Sequence, residues 1–179
     1  GPWLAQVSGR TPAQASQGLF VINLSMLFAF LGWGLLMPRL VRLGWTSERL
    51  IGWGWPLGCG LLALVIALGR GAEAGLWAAW CVATSVVSLS QPAIGQAFPA
   101  ALAGRALSAY NLVIFAGVFT IQWGIGLMID ALLVAGWSTL PAYRAAFGAF
   151  LCAAVLSGLW FHRNRPLAEP AERTRAAGR

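Results

Sequence analysis

The chain has 179 residues, of which 59% are hydrophobic and only 9% are charged. Soluble domains carry about 25% charged residues, so this composition excludes a soluble globular domain. All 12 basic residues are arginine and most of them lie between long apolar runs, so the net charge of +7 reflects membrane topology and not binding to nucleic acid.

Five apolar runs are long enough to be transmembrane helices, because a helix needs about 20 mostly apolar residues to cross the hydrocarbon core of a bilayer. In chain order, the predicted spans are 19–37, 51–68, 75–95, 107–129 and 145–161. Residues 1–18 are predicted to form an outer segment and loop, and 162–179, rich in Arg, Pro, Glu and Ala, a disordered tail. The predicted fold is an all-α polytopic membrane protein whose five helices are surrounded by the lipid bilayer.

The arginines are distributed unequally between the two sides of these spans. Nine lie in the loops after the first and third spans and in the tail, whereas only Arg10, Arg70 and Arg144 lie on the opposite side. Short cytoplasmic loops carry the excess of positive charge. The sequence therefore predicts an outer N-terminus and a cytoplasmic C-terminus.

Several spans contain polar side chains, which are costly in lipid and are therefore the first candidates for function. In the third span Ser88 and Gln91 follow helical spacing. In the fourth span Asn111 and Gln122 lie within about 20° of each other around the helix axis. Asn23 adds an amide to the first span. These five residues are predicted to line a substrate cavity, and the alternative is that they form hydrogen bonds between helices.

The spans lack the groups that membrane-embedded enzymes need. None has Glu, Lys, Arg or His near its middle, and Cys59, Cys81 and Cys152 show no metal-ligand spacing. A hydrolase of serine or metal type requires a base or metal ligands at membrane depth. We therefore expect no catalytic residue, no metal site and no cofactor, and we predict that the protein is not an enzyme.

Asp130 and Arg144 flank the outer loop between the fourth and fifth spans. Consecutive helices joined by a loop of this length usually lie side by side, so the two charges are expected to form an ion pair. The pair is predicted to be either a topological clasp or part of an outer gate. Exposed ion pairs typically contribute about 1 kcal/mol or less, which favours the clasp.

The fourth span and the loop before it contain a distinctive order of residues. They are 103–112 (AGRALSAYNL), Phe115, Gly117, 122–124 (QWG), Gly126 and 129–130 (ID). This order resembles the penultimate helix of bacterial major facilitator superfamily transporters and the loop before it. The run 1–4 (GPWL) with Val7 and Gly9 resembles the outer end of that family's seventh helix. The loop 34–44 (GLLMPRLVRLG) resembles the family's Gly-rich basic cytoplasmic loop, with Pro38 where Asp is usual.

The resemblance implies that the five spans are the last five of a twelve-helix transporter of the bacterial inner membrane. They would form most of one six-helix half, and the N-terminal half would be missing. The implied mechanism is alternating access, in which two bundles rock about a site for a small-molecule substrate near the bilayer midplane. Spans one, three and four would border that cavity, and Arg39, Arg42 and Arg105 would lie in cytoplasmic loops. The alternative is a self-contained five-span scaffold or a subunit of an oligomeric pore.

Overall fold

The computed structural model describes residues 1–164, so the predicted tail lies outside the described residues from 165 onward. The described chain forms six α-helices, which are α1 (Pro12–Arg42), α2 (Ser47–Leu68), α3 (Ala74–Thr84), α4 (Ser90–Ala97), α5 (Ala100–Val134) and α6 (Thr139–Arg163). A single π-helical turn, Trp3–Val7, precedes α1, and 3₁₀ turns occur at Gly69–Gly71 and Ser85–Leu89. Residues 1–164 contain no β-strand, so the all-α prediction is confirmed.

Within the described part of the chain, four helical segments are long and apolar enough to cross a membrane. They are Pro12–Arg42, Ser47–Gly71, Ala100–Val134 and Thr139–Arg163, and they contain the first, second, fourth and fifth predicted spans. At most 17% of the residues in their apolar windows are buried inside the bundle. Such exposure is expected where lipid tails cover the outer surface, and it supports a membrane-embedded protein.

The helices extend beyond the predicted apolar runs because polar residues cap them. Thr11 and Gln14 form a reciprocal capping box, with the Gln14 backbone N–H donating to Thr11 Oγ1 at 3.3 Å. Thr46 Oγ1 accepts from the Arg49 backbone N–H at 3.2 Å and starts α2 in the same way. At the other end of the chain, Arg163 closes the last turn of α6, so the predicted tail boundary at 162 falls inside a helix.

The third predicted span, 75–95, is not a single α-helix. It consists of α3, with 11 residues, the 3₁₀ turn Ser85–Leu89, and α4, with eight residues. Pro92 has no N–H to reach the carbonyl four residues earlier, and the Thr84 hydroxyl donates to the Trp80 carbonyl at 3.0 Å. Hydroxyl groups that donate to a backbone carbonyl of the preceding turn compete with the backbone hydrogen bonds of the α-helix. The five-span prediction is therefore not met as written, since this segment is broken.

Contacts between helices define their relative directions. Gly18 of α1 faces Ala74 of α3, and later in α1 Trp33 Nε1 donates at 2.9 Å to Ser85 Oγ, which directly follows the end of α3. These two helices are therefore parallel. By contrast α2 and α6 are antiparallel. Trp55 in the first half of α2 bonds the Ala154 carbonyl in the second half of α6 at 3.0 Å, whereas Arg144 near the start of α6 bonds the Ile66 carbonyl near the end of α2. α3 packs on α1 and α2, α6 packs on α2 and α5, and α4 packs on α5.

The alternating directions give the bundle two distinct ends. We call one the Trp3 end, where the π-helical turn, the 3₁₀ turn Gly69–Gly71 and the loop 135–138 lie. We call the other the Arg39 end, where the loops 43–46 and 98–99 and the last turn of α6 lie. The described arginines near the Arg39 end are Arg39, Arg42, Arg49, Arg105 and Arg163, and those near the Trp3 end are Arg10, Arg70 and Arg144.

The buried core of the chain lies at the Trp3 end. Its members come from the π-helical turn and from every long helix, and they are Trp3, Leu4, Val7, Ala15, Val65, Ala72, Trp77, Ile129, Tyr143 and Ala146. In the predicted outer segment and loop, 1–18, the π-helical turn is buried. The segment after it is fastened to the start of α3, where Ser8 Oγ donates to the Ala72 carbonyl at 3.1 Å and Arg10 pairs with Glu73.

The arginines assigned to cytoplasmic loops lie on helices instead. Arg39 and Arg42 belong to the last turn of α1, so the predicted loop 34–44 is mostly helical. Pro38 is accommodated inside α1, and its carbonyl accepts a hydrogen bond from Arg42 Nε at 3.3 Å. Positive charge in the last turn of a helix is favourable because it opposes the negative end of the helix dipole. Arg105 likewise lies within the second turn of α5 and is exposed.

Candidate binding cavity

A cavity of about 480 Å³ opens between α1, α3, α5 and α6 at the Trp3 end. Small-molecule sites in proteins usually have volumes of about 300–1,000 Å³, so this one has the size of a ligand site. Its walls are mostly apolar and come from five separate parts of the chain. The lining residues are Gly1, Pro2, Trp3, Leu4, Gln6, Leu19, Ile22, Trp77, Cys81, Gln122, Ile125, Gly126, Ile129, Asp130, Tyr143 and Phe147.

Four aromatic rings form one wall of this cavity. The Trp3 ring makes edge-to-face contacts with Trp77, Tyr143 and Phe147, at centroid distances of 5.5, 5.8 and 5.1 Å. Only 3% of Trp3 is exposed, and such aromatic pairs contribute about 0.5–1.5 kcal/mol beyond their area burial. The π-helical turn, α3 and α6 therefore build this wall together.

Few polar atoms are buried in this region. The Tyr143 hydroxyl donates to Gln6 Oε1 at 2.8 Å, which joins α6 to the π-helical turn. The indole N–H groups of Trp3 and Trp77 are buried without a hydrogen-bond partner among the described residues. An unpaired buried donor costs about 1–3 kcal/mol, so the aromatic packing has to offset this cost.

Asp130 and Arg144 do not form the predicted ion pair, although both lie within the described residues. Arg144 turns toward α2, where its Nε donates to the Ile66 carbonyl at 2.9 Å and its guanidinium NH2 to the Ala67 carbonyl at 2.7 Å. The carbonyls at the end of a helix have no partner within it, so a nearby guanidinium satisfies them. Asp130 is left exposed on the cavity wall.

Of the five predicted cavity residues, Gln122 lies on the wall of this cavity. Its exposed side chain also borders an adjoining cavity of about 820 Å³ along α5. Asn111 lies about 16 Å from Gln122 along the axis of the same helix, in the direction of the Arg39 end, at about 1.5 Å per residue. The two amides therefore have different surroundings, although helical spacing predicts that they lie on one side of the helix.

Asn111 and Gln91 meet each other between α4 and α5. Gln91 Nε2 donates to Asn111 Oδ1 at 3.2 Å, and beside them the hydroxyls of Ser90 and Tyr110 share a hydrogen bond. This polar pair is the helix-bridging arrangement that the sequence left open as the alternative. It lies toward the Arg39 end, away from the aromatic wall.

Asn23 and Ser88 line neither of these two cavities. Asn23 is exposed on α1 and its Nδ2 donates to the Leu19 carbonyl of its own helix at 2.8 Å. Ser88 is half-buried within the 3₁₀ turn Ser85–Leu89. The amide of Asn23 is satisfied locally, so its presence in an apolar span does not require a wet cavity.

Sequence reasoning missed the residues that shape the cavity most, which are Trp3, Gln6, Trp77 and Tyr143. A signal was present in the spacing of Trp3, Leu4 and Val7, which places three apolar side chains on one side of a helical turn. The turn is too short to count as a span and lies before the first one.

The chain matches no protein-family model, no curated protein and no solved structure. The class that the structure defines is a membrane-embedded all-helical bundle with four candidate spanning helices among residues 1–164. The resemblance to the major facilitator superfamily stays a prediction from sequence motifs.

Proposed function

We propose that this chain is the C-terminal part of a secondary active transporter that moves a small solute by alternating access. The observation that carries the proposal is the cavity at the Trp3 end, whose walls come from α1, α3, α5 and α6 together with the π-helical turn. A site shared by several helices changes shape when those helices move, which alternating access requires. The motifs of α5 and the resemblance they carry point to the same class.

The broken segment α3–α4 is proposed as a fifth membrane crossing. It follows α1 over most of its length, because Ala74 faces Gly18 near one end and Pro92 borders the same surface pocket as Val41 near the other. Together with its 3₁₀ turn the segment covers 24 residues, or about 36 Å if it were fully α-helical. An irregular backbone at membrane depth is tolerated where protein surrounds it, and Ser85 is buried.

One face of α5 supports the proposal that a further bundle packs against this chain. Gly117 and Gly124 have no neighbour within 4 Å of the position that a Cβ atom would occupy. Small residues in membrane helices let a second helix approach closely. We propose that the missing N-terminal half fills this space.

The second candidate function is a self-contained scaffold or a subunit of an oligomeric pore. The observation that favours it is the exposed aromatic row of Phe115, Phe119 and Trp123 on α5, in which the last two rings stack at 6.3 Å. Such a row could pack against another copy of the chain as well as against lipid.

Thiol labelling tests whether the cavity is open to water, as a transport site must be. In a chain with Cys59, Cys81 and Cys152 replaced by Ala, Gln122→Cys should react at least about tenfold faster with a membrane-impermeant maleimide than Leu112→Cys, because a thiol ionises poorly in lipid. Leu112 is the matched control, since it lies on the same helix, is 71% exposed and borders neither cavity. Equal rates at the two positions would contradict a water-filled cavity.

Flux separates the two candidate functions. Proteoliposomes with the full-length protein should accumulate at least one solute from a labelled panel, with a rate that changes when a proton gradient is imposed or removed. The 179-residue chain alone should give no saturable flux, because its cavity lacks the second bundle. Saturable, stereoselective flux through this chain alone would favour the self-contained pore and remove the transporter-half proposal.

A further inference from the structure

The cavity at the Trp3 end carries one charged side chain on its wall. Among its lining residues, all of which the structure describes, Asp130 is the only Asp, Glu, Lys, Arg or His. Arg144, the basic residue expected to neutralise Asp130, donates its hydrogen bonds to the carbonyls of Ile66 and Ala67 instead. The carboxylate therefore faces the cavity without an ion-pair partner among residues 1–164.

Apart from the amides of Gln6 and Gln122 and the thiol of Cys81, the uncharged side chains of the wall present aromatic and aliphatic carbon. The indole N–H groups of Trp3 and Trp77 are buried, so these side chains offer ring surface to the cavity and not hydrogen-bond donors. Aromatic rings attract cations through the negative potential of their faces. Leu19, Ile22 and Ile125 complete a surface that suits an apolar body.

From this combination we infer that the cavity binds a small organic cation that has an apolar, preferably aromatic, body. The carboxylate of Asp130 neutralises the charge, and the rings of Trp3, Trp77, Tyr143 and Phe147 contact the body. An anionic ligand is disfavoured because it would meet a like charge and no donor from the indoles. Binding follows from the wall alone, whereas movement of the ligand across the membrane rests on the proposed function.

The probes are tetraphenylphosphonium and tetraphenylborate, which have nearly the same size and shape but opposite charge. Their binding is measured by equilibrium dialysis to the purified chain in nanodiscs of zwitterionic phosphatidylcholine. Gly1 also lines the cavity, so its amino group is acetylated to remove a competing positive charge. The variants are Asp130→Asn and, as matched control, Glu73→Gln, which removes a carboxylate at the same end that is paired with Arg10 and lies outside the cavity.

Tetraphenylphosphonium should bind saturably at one site, and Asp130→Asn should weaken it about tenfold. The same variant should not weaken tetraphenylborate, because it removes the like charge that this anion would meet. Glu73→Gln should leave both probes unchanged. Trp77→Leu, which removes a ring but no charge, should weaken the cation by several fold. The inference is overturned if Asp130→Asn has no effect, if both probes lose affinity equally, or if Glu73→Gln weakens the cation as much.

The measurements of binding and of transport test the inference and the proposed function separately. Cation binding that depends on Asp130, without flux of the cation through the full-length protein, keeps this inference and counts against the proposed function. Flux of a neutral or anionic solute through the full-length protein, with no binding of tetraphenylphosphonium, keeps the proposed function and removes the inference.

Discussion

The two ends of the bundle hold their helices together by different interactions. At the Trp3 end, aromatic rings from the π-helical turn, α3 and α6 pack edge to face in a buried cluster. At the Arg39 end, α4 and α5 meet through the amides of Gln91 and Asn111, while Leu35 and Leu43 remain more than 70% exposed. Lipid tails are as apolar as leucine, so helix association in a membrane depends on close packing and hydrogen bonds. The Trp3 end has the aromatic packing, whereas α4 and α5 at the Arg39 end are joined mainly by hydrogen bonds.

This difference predicts where the bundle opens most easily. Regions with few buried contacts and exposed hydrogen bonds unfold or separate locally at low free-energy cost. The segment α3–α4 connects both regions, since α3 packs on α1 and α2 whereas α4 packs on α5. The 3₁₀ turn Ser85–Leu89 lies between these two sets of contacts. Motion of α4 and the first half of α5 relative to the Trp3 end is therefore the expected local motion.

The largest effect is expected from Trp3→Ala. Removing a buried aromatic side chain typically costs about 3–5 kcal/mol, and Trp3 contacts three other rings of the cluster. Trp123→Ala is the control, since Trp123 is 60% exposed and its loss should change stability by about 0.5 kcal/mol or less. Circular dichroism during titration of mixed micelles with dodecyl sulfate measures both. Equal losses would show that the cluster does not stabilise the Trp3 end.

The second effect concerns α2 and α6, which are also packed closely toward the Arg39 end. The Trp55 indole lies over Gly158, where a Cβ atom would overlap the ring. Gly158→Ala should therefore cost about 1–3 kcal/mol, as overpacking usually does. Gly148→Ala on the same helix is the control, because a Cβ there meets nothing within 4 Å and alanine favours the helix by about 1 kcal/mol. A neutral Gly158→Ala would mean that α2 and α6 separate easily.

How far the sequence predicted the fold depended on the length of each element. Runs of about 20 apolar residues identified four helices correctly, because length and hydropathy alone are sufficient for a span. The break at Ser85–Leu89 was missed, although Pro92 and the neighbouring serines were visible in the sequence. Proline and serine are common in membrane helices, so their presence does not by itself predict a break.

For the candidate site, the sequence predicted which residues are polar but not where they point. Helical spacing predicted that Gln122 and Asn111 share one side of α5 and line one cavity, yet Gln122 borders the cavity and Asn111 bonds Gln91. The Asp130–Arg144 pair was wrong because Arg144 reaches the end of α2, a neighbour that loop length does not reveal. Trp3 was missed because tertiary contacts alone bring it beside Trp77.

A third effect compares the chain's two tyrosines, one in each region. Tyr143 bonds Gln6 at the Trp3 end, and Tyr110 bonds Ser90 between α4 and α5. Each change to Phe should cost about 1 kcal/mol, the typical value of one hydrogen bond. The rate of amide hydrogen exchange should nevertheless differ between the two variants. In Tyr143→Phe the aromatic cluster still holds the π-helical turn in place. In Tyr110→Phe, α4 loses one of its two polar contacts with α5. Faster exchange in 90–97 for the second variant only is the expected result, and equal acceleration at both ends would remove the distinction.

The smallest effect is expected from the ion pair between Arg10 and Glu73, which joins the start of α1 to the start of α3. Their side chains are 38% and 65% exposed, so water and salt screen the attraction, and such pairs contribute about 0.2–1 kcal/mol. A double-mutant cycle with Arg10→Gln and Glu73→Gln should give a coupling energy in that range, and the coupling should fall when salt is raised from about 0.01 to 0.15 M, because the Debye length shortens from about 30 to 8 Å. The buried cluster beside the ion pair carries no charge, so Trp3→Ala should lower the free energy of unfolding by the same amount at both salt concentrations.

A coupling energy above about 2 kcal/mol that persists in salt would contradict this prediction, since surface pairs rarely reach it. In that case the Trp3 end would depend on charge as much as on its aromatic packing, and the contrast between the two ends would have to be redrawn.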